Sequence, residues 1–286
     1  MIPLSAGELD ARLRELLAED VGPGDVTTEW TVPADARARG RLLAKSACIV
    51  SGLPVARRTF ALLDPALGWK NEAAAGTEAA PGATLAELEG RARALLTAER
   101  VALNLLQRMC GIATATRRYV RAVAGTGCRI LDTRKTAPGL RAFDRIAVAD
   151  GGGSNHRAGL YDQVLIKDNH RRLAGGVANA VRRARDRAPT GMKIEVEVET
   201  EEELRQALSA GADIVLIDNQ APETVGQWST LARHSARPPW IEASGNMTLD
   251  RVGAYAAAGA DAISVGALTH SVEAADISLE LEVQPT

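Results

Sequence analysis

The sequence predicts an α/β protein in two parts: a small N-terminal antiparallel sheet with helices, then a closed or nearly closed α/β barrel. Three observations point to it. From Arg129 onward short apolar runs recur: RILDT (129–133), QVLIK (163–167), KIEVEV (193–198), DIVLI (213–217), WIEA (240–243) and DAISV (261–265). Helical patterns such as VANAVRRARDR, EEELRQALSAG and LDRVGAYAAAG separate most of them. The repeat of about 20–35 residues is the rhythm of βαβ units in a parallel sheet. The punctuation AGAD, a helix end, a glycine cap and a strand start, occurs at Ala210–Asp213 and again at Ala258–Asp261. With IAVAD (146–150) read as a further strand, the runs favour a barrel of about seven strands over an open sheet.

Along the chain, residues 8–19 read as a helix with Leu9, Leu13, Leu16 and Leu17 on one face. The Gly/Pro cluster EDVGPGDVTT, Glu19 to Thr28, ends it. From Ala38 to about Gly90 the runs shorten around one helix, VARRTFALLD, and read as a small antiparallel sheet. Residues 92–124 are helical, with an interruption expected at Gly111 that makes two helices. The expected domains are 1–112 and the barrel 113–274, with the tail 275–286 returning to the first domain and ISLELEVQ (277–284) as its strand.

Composition removes several function classes. The chain has 286 residues, 46% hydrophobic and 24% charged, with a net charge of −2, as soluble globular proteins do. No apolar run approaches the ~18–20 residues of a spanning helix. The opening MIPLSAGELDARLRELLAEDVG reads as an acidic amphipathic helix without a signal-peptide core. Aromatic residues are 3% and charge is balanced, so no basic face or stacking platform for nucleic acid is evident. Cys48, Cys110 and Cys128 are odd in number and form no CxxC, which suits a reduced, cytoplasmic protein. Only five of the 34 basic residues are lysines, Lys45, Lys70, Lys135, Lys167 and Lys193; the bias reads as codon usage, except where a compact ammonium is needed.

Barrel enzymes place reactive groups at the carboxyl ends of their strands. Here those ends hold Thr133, Arg134 and Lys135, then Asn155, His156 and Arg157 after Gly151–Gly153, and Lys167. Glu195 and Glu197 follow, then Asp218 and Asn219, then Ser244, Gly245 and Asn246, and finally Gly266. Each alone has an ordinary explanation. A GGG run is usually a loop, EVEVE can be a strand with a solvated face, and His170 and His234 are assigned structural or surface places. The coincidence at one barrel mouth is the evidence. A carboxylate facing the barrel interior is costly unless paired or metal-bound.

The signs are also segregated. Arg134, Lys135, His156, Arg157 and Lys167 make a pocket for an anion with more than one carboxylate. Glu197 and Asp218 are hard oxygen ligands that suit Mg2+. SGN and VGALTH are small-residue turns whose amides can cradle a phosphate. An acid on one side and a Mg2+-bound sugar phosphate on the other is a layout for phosphoribosyl transfer.

The motifs ED-x-GPGD-x-TT, LLTAERVALN, GIATAT, DTRKTAPGLR, GGGSNHRAGL, LIKDNH, EVEVE, LIDN, SGN and VGALTHS occur in this order nearly end to end. In them the chain resembles quinolinate phosphoribosyltransferase, the carboxylating nicotinate-nucleotide diphosphorylase family. The resemblance implies a four-stranded open α/β sandwich followed by an incomplete α/β barrel of the type II phosphoribosyltransferase kind. It also implies a homodimer with sites at the subunit interface. The implied activity is a pentosyltransferase of NAD biosynthesis: phosphoribosyl pyrophosphate and quinolinate give nicotinate mononucleotide, pyrophosphate and CO2. By position, Arg134, Lys135, His156, Arg157 and Lys167 would hold quinolinate and the pyrophosphate end, with Thr133 beside them. Glu197 and Asp218 would hold ribose and Mg2+, and Ser244, Gly245, Asn246 and Gly266 the 5′-phosphate turn. Lys135, Lys167, Glu197 and Asp218 are the catalytic candidates. Arg100, in AERVALN, would reach the neighbouring subunit's site; without the resemblance it reads as a surface helix arginine.

Two departures stand out: Cys110 where the family usually has serine, and Asp150, an added negative charge expected near an anion site. The alternatives are a phosphoribosyltransferase for another aromatic acid and a Schiff-base barrel aldolase using Lys167. A non-catalytic scaffold fits the converging charges least.

Overall fold

The computed structural model describes residues 4–283. In chain order the elements begin with helices α1 (Ala6–Val21) and α2 (Val26–Thr31), strands β1 (Arg37–Ala44) and β2 (Cys48–Ile49), and helix α3 (Leu53–Leu63). Strands β3 (Gly68–Lys70), β4 (Glu78–Ala79) and β5 (Thr84–Arg91) lead into the long helix α4 (Ala92–Ala122). Next come β6 (Arg129–Leu131), α5 (Arg141–Asp150), β7 (Val164–Ile166), α6 (Asp168–Ala174), α7 (Val177–Arg185) and β8 (Ile194–Val198). Helix α8 (Glu201–Ala210), β9 (Ile214–Asp218), α9 (Pro222–Arg233) and β10 (Trp240–Ser244) continue the alternation. Helix α10 (Val252–Ala257), β11 (Ala262–Ser264), α11 (Ala267–His270) and β12 (Ile277–Val283) complete it.

These elements form two compact units. The first takes in the chain up to Arg117, the segment Ala137–Gly152, and the chain from Val272 onward. Its antiparallel sheet has the order β12-β1-β5-β3. Strand β1 alternates exposed and buried residues, as a half-buried strand must, and pairs β12 in register from Ala38 with Val283 to Ala44 with Ile277. The core on its inner face includes Leu42, Phe60, Leu85, Leu95, Leu106 and Ile277. Helix α1 starts at a capping box in which the Ser5 backbone N–H donates to Glu8 at 2.8 Å, and it buries Leu13 and Leu17.

The predicted break at Gly111 is absent: α4 is continuous from Ala92 to Ala122, so the expected boundary at 112 falls inside it. Gly111 serves a different need. A Cβ there would lie 2.2 Å from the Glu273 carbonyl oxygen and 3.1 Å from Ala274 Cα. The glycine admits the returning tail against the helix rather than ending it, and Gln107 Nε2 secures that tail by donating to the Ile277 carbonyl at 2.7 Å.

IAVAD is also not a strand. It is the end of α5, whose buried residues Phe143, Asp144, Ala147 and Val148 recur at helical spacing. The alternating appearance of IAVAD reflects two of these plus a chance apolar neighbour. Buried Asp144 is bonded by Arg108 through two contacts of 2.8 Å each.

The second unit holds Arg118–Thr136 and Gly153–Ser271. Its parallel sheet has six strands among the described residues, in the order β6-β11-β10-β9-β8-β7, one fewer than the sequence suggested. Where a second strand would stand, a single parallel bridge joins Leu131 to Ser154. Ser154 N–H donates to the Ile130 carbonyl at 2.8 Å and its own carbonyl accepts from Asp132 at 3.2 Å. The repeated AGAD motif has a repeated function. Asp213 Oδ2 accepts the Ile194 N–H at 2.9 Å, and Asp261 Oδ2 accepts the Ile241 N–H at 2.8 Å. Each aspartate thus pins the start of the neighbouring strand, and each is paired with an arginine of the helix leading into that strand, Arg185 at 2.7 Å and Arg233 at 2.5 Å.

Replacing Gly111 with alanine should destabilise the protein by about 1–3 kcal/mol in chemical denaturation, because overpacking outweighs alanine's better helix propensity. A neutral or stabilising result would mean that the tail does not need this close approach.

Candidate active site

The carboxyl ends of the parallel strands surround a cavity of about 680 Å3 within the second unit. Twelve of the thirteen predicted site residues line it. Thr133, Arg134 and Lys135 enter from the loop after β6, His156 and Arg157 from the segment after the Ser154 bridge, and Lys167 from the end of β7. Opposite in character are Glu197 of β8 and Asp218 of β9, then Ser244 at the end of β10 with Gly245 and Asn246 after it, and Gly266 after β11. Arg100 does not line the cavity; it lies in the first unit, exposed on α4.

On the cationic side, the loop after β6 is folded tightly. Thr133 Oγ1 accepts the Lys135 N–H at 3.1 Å, and the Lys135 carbonyl accepts from Thr269 at 2.9 Å. Arg134 Nε is buried without a hydrogen-bond partner among the described residues. Burial, and then the charge of Arg134, pull the Arg157 guanidinium down from its ordinary value. Two guanidiniums therefore stand close together with their charge incompletely answered by the protein.

His156 is held from three directions. Its Nε2 lies 3.1 Å from Glu195 Oε2 and 3.5 Å from Glu242 Oε2. Its Nδ1 accepts the Arg157 backbone N–H at 2.7 Å, and its own backbone N–H donates to buried Asp132 at 2.6 Å. Burial opposes a charged ring, but the two carboxylates outweigh it and raise its pKa to about 10. Burial and the nearby Glu242 likewise push the Glu195 carboxyl up. The N–H donated to Nδ1 leaves that nitrogen unprotonated, so the ring's proton sits on Nε2, held between the two carboxylates.

On the acidic side, Lys167 Nζ is 3.6 Å from Glu197 Oε2. Burial raises Glu197, Lys167 opposes that, and Asp218 adds to it. Carboxylate oxygens of Glu197, Glu199 and Asp218 lie within 4.8 Å of one another. This donor set, hard oxygens whose mutual repulsion a cation relieves, fits Mg2+. Asn219, in the left-handed region at φ 52°, donates from Nδ2 to Asp218 Oδ2 at 2.6 Å. It also packs on the next turn: a Cβ at Gly245, whose φ is 100°, would fall 2.2 Å from Asn219 Oδ1. Only glycine admits this approach, so Asp218, Asn219 and the SGN turn are built as one piece. Gly266 is similarly crowded, a Cβ there meeting Lys135 Cδ at 3.0 Å and His270 Cδ2 at 3.1 Å.

Glu242 and His270 also line the cavity and were missed, as was the buried partnership of Glu195; Asn219, placed at a strand end but given no role, lines it too. Glu242 was findable: in WIEAS it stands two residues before Ser244, on the same face of its strand. His170 and His234 are structural as read, His170 Nδ1 accepting the Lys167 N–H at 3.0 Å and His234 Nδ1 lying 2.8 Å from the Thr230 carbonyl. Asp150 corrects the expectation of a charge at the anion site. It belongs to the first unit, accepts the Ser51 hydroxyl at 2.6 Å and does not line the cavity. Cys110 Sγ is buried in the same unit, 3.2 Å from the Ser51 carbonyl, a place a serine hydroxyl also suits.

Comparison with known proteins agrees along the whole chain. The sequence profile described as quinolinate phosphoribosyl transferase, C-terminal domain, matches residues 112–280, and that of the N-terminal domain matches residues 25–110. A Bacillus subtilis protein named probable nicotinate-nucleotide pyrophosphorylase (carboxylating) is 42% identical over 274 residues, covering 96% of this chain and 93% of the relative. A Mycobacterium leprae protein named nicotinate-nucleotide pyrophosphorylase (carboxylating) is 41% identical over 292 residues, covering 97% and 100%. The crystal structure of NadC from Streptococcus pyogenes superposes with a TM-score of 0.94 at 37% identity, covering 100% of both chains.

Proposed function

The chain belongs to the quinolinate phosphoribosyl transferase family, and from that premise we propose that it transfers phosphoribose from phosphoribosyl pyrophosphate to quinolinate with loss of CO2. The products are nicotinate mononucleotide, pyrophosphate and CO2, a step of NAD biosynthesis. The observation that supports this most is Arg134, whose buried Nε has no hydrogen-bond partner among the described residues, next to the crowded guanidinium of Arg157. Two such forks side by side suit a diacid better than a monoacid.

In this reading Arg134 and Arg157 pair the two carboxylates of quinolinate and aim its ring nitrogen at C1′ of the sugar. The nitrogen attacks C1′ as the bond from C1′ to the pyrophosphate oxygen breaks, its electron pair leaving with pyrophosphate. Glu197 and Asp218 receive the ribose hydroxyls and stabilise the positive charge that builds on the sugar. Lys135 and Lys167 meet the departing polyanion as compact charges. The quaternised ring nitrogen then draws electrons from the bond to the 2-carboxylate. CO2 leaves, and a proton takes its place on the ring carbon. Ser244, Gly245, Asn246 and Gly266 bind the 5′-phosphate. Glu197 and Asp218, with Glu199 beside them, would hold Mg2+, which when bound neutralises charge on the pyrophosphate.

Arg100 we assign to the neighbouring subunit's site in a homodimer, on the strength of its exposure and its place in the AERVALN motif. The free thiols of Cys48, Cys110 and Cys128 suit the cytoplasm. No described helix is long and apolar enough to cross a membrane. The aldolase reading is weakened by Lys167, whose side chain is 50% exposed and beside Glu197, where an imine-forming lysine needs desolvation.

The direct test is release of labelled CO2 from carboxyl-labelled quinolinate, expected only with phosphoribosyl pyrophosphate and Mg2+ present. No release under those conditions overturns the proposal. Arg134→Ala should remove a charge-assisted contact of about 1.5–3 kcal/mol, raising the quinolinate KM roughly 10- to 150-fold. The KM for phosphoribosyl pyrophosphate should change far less, and equal losses on both substrates would move Arg134 out of the acid pocket. Arg100→Ala and Lys167→Ala proteins should each be nearly inactive alone. After subunit exchange, random pairing makes hybrids about half of all dimers, with one intact site each, so about a quarter of sites should recover. Background activity after verified exchange would return Arg100 to the surface.

A further inference from the structure

Two buried carboxylates, Glu195 beneath the cavity and Glu242 in its wall, have no part in the reaction as described. Glu195 of β8 and Glu242 of β10 are 0% and 2% exposed, and both converge on His156 Nε2, at 3.1 and 3.5 Å. Burying two acids against one ring is costly. Glu242 keeps a buried oxygen, Oε1, with no hydrogen-bond partner among the described residues. Polar groups left in that state are rare and call for a function.

The segment they hold explains them. His156 and Arg157 follow the single bridge at Ser154 and belong to no strand, so no ladder fixes them. Side chains do it instead. Glu195 and Glu242 clamp the ring from two separate strands, and Nδ1 of the same ring accepts the Arg157 backbone N–H at 2.7 Å. Gln163 closes the circuit: its Nε2 donates to Glu195 at 2.6 Å, and its carbonyl accepts from Arg157 Nη1 at 3.4 Å. Both imidazole nitrogens are thereby engaged with protein atoms, one as donor and one as acceptor, which is their full capacity in the neutral ring.

We propose that Glu195, Glu242 and His156 are a positioning unit for Arg157, fixing the backbone from which its guanidinium reaches the substrate's carboxylate. His156 serves the acid through that role and not as a ligand of it. The inference rests on the reading of Arg157 as an acid ligand, and the test separates the two.

Steady-state kinetics should be measured for the wild type, Arg157→Ala, Glu242→Gln and the double variant, varying quinolinate and phosphoribosyl pyrophosphate in turn. Glu242→Gln should raise the quinolinate KM about tenfold, with kcat and the other KM close to wild type, and it should add nothing in the Arg157→Ala background. A loss shared equally between the two substrates, or full additivity with Arg157→Ala, overturns the positioning role. Arg157→Ala without effect on the quinolinate KM overturns the reading of Arg157 itself. His156→Gln multiplying the Arg157→Ala defect would show the ring touching the acid and also defeat the proposal. Should Glu242→Gln not fold, Gln163→Ala takes its place in the same cycle. It removes the 2.6 Å contact to Glu195 without changing charge, and the same selective, non-additive rise in quinolinate KM is expected.

Discussion

Glu195 sits wholly inside the barrel 3.1 Å from His156, with Glu242 closing on the same ring from the next strand but one. Charge in a parallel barrel's interior is tolerable only when its partner is delivered to the same depth by another segment of the chain. That requirement organises the second unit. Alternation along β8 puts Glu195 below and Glu197 above on one face, and the same alternation on β10 stacks Glu242 beneath Ser244. The lower pair answers the histidine, Glu242 reaching the cavity wall beside it, and the upper pair lines the cavity. A one-residue slip in any of these strands would exchange a paired acid for an aliphatic side chain and leave the histidine unmatched.

The framework was legible because its signals are local. Six apolar runs separated by helical patterns became six parallel strands, and the AGAD repeat proved to be an aspartate pinning an amide at the start of a neighbouring strand in both copies. What misled was a residue type with two meanings. Gly111 reads as a helix breaker, yet its missing Cβ makes room for the Glu273 carbonyl, a contact across more than 150 positions that no local pattern records. IAVAD shows apolar residues at both helical and strand spacing, and the deciding fact, burial of Asp144 against Arg108, is tertiary.

The cavity was legible for the same reason the strands were: twelve predicted residues fall at strand ends, and strand ends converge. Roles were harder to read than places. His156 is present at the cavity as expected, but the directions of its two nitrogens depend on the adjacent Arg157 amide and on Glu195 and Glu242, which no local spacing relates to it. Asn219 was noted only as a neighbour of Asp218. Its left-handed backbone and its tight fit over Gly245 make it the joint between Asp218 and the SGN turn.

The seam at Ser154 gives the ring of strands an uneven stiffness. Strands β8, β9 and β10 are joined by continuous ladders, five residues long between β9 and β10, whereas the arc between β6 and β7 is held by one residue. The barrel is in effect a split collar. Load applied at its mouth is taken up first at the gap, where opening disturbs the fewest backbone hydrogen bonds. There the Glu195–His156–Glu242 cluster stands in for a ladder, so the placement of Arg157 rests on side chains and that of Glu197, Asp218 and Ser244 on backbone pairing. A change in that cluster therefore shifts one wall of the cavity, while the spacing between the acids and the SGN turn stays as the ladders set it.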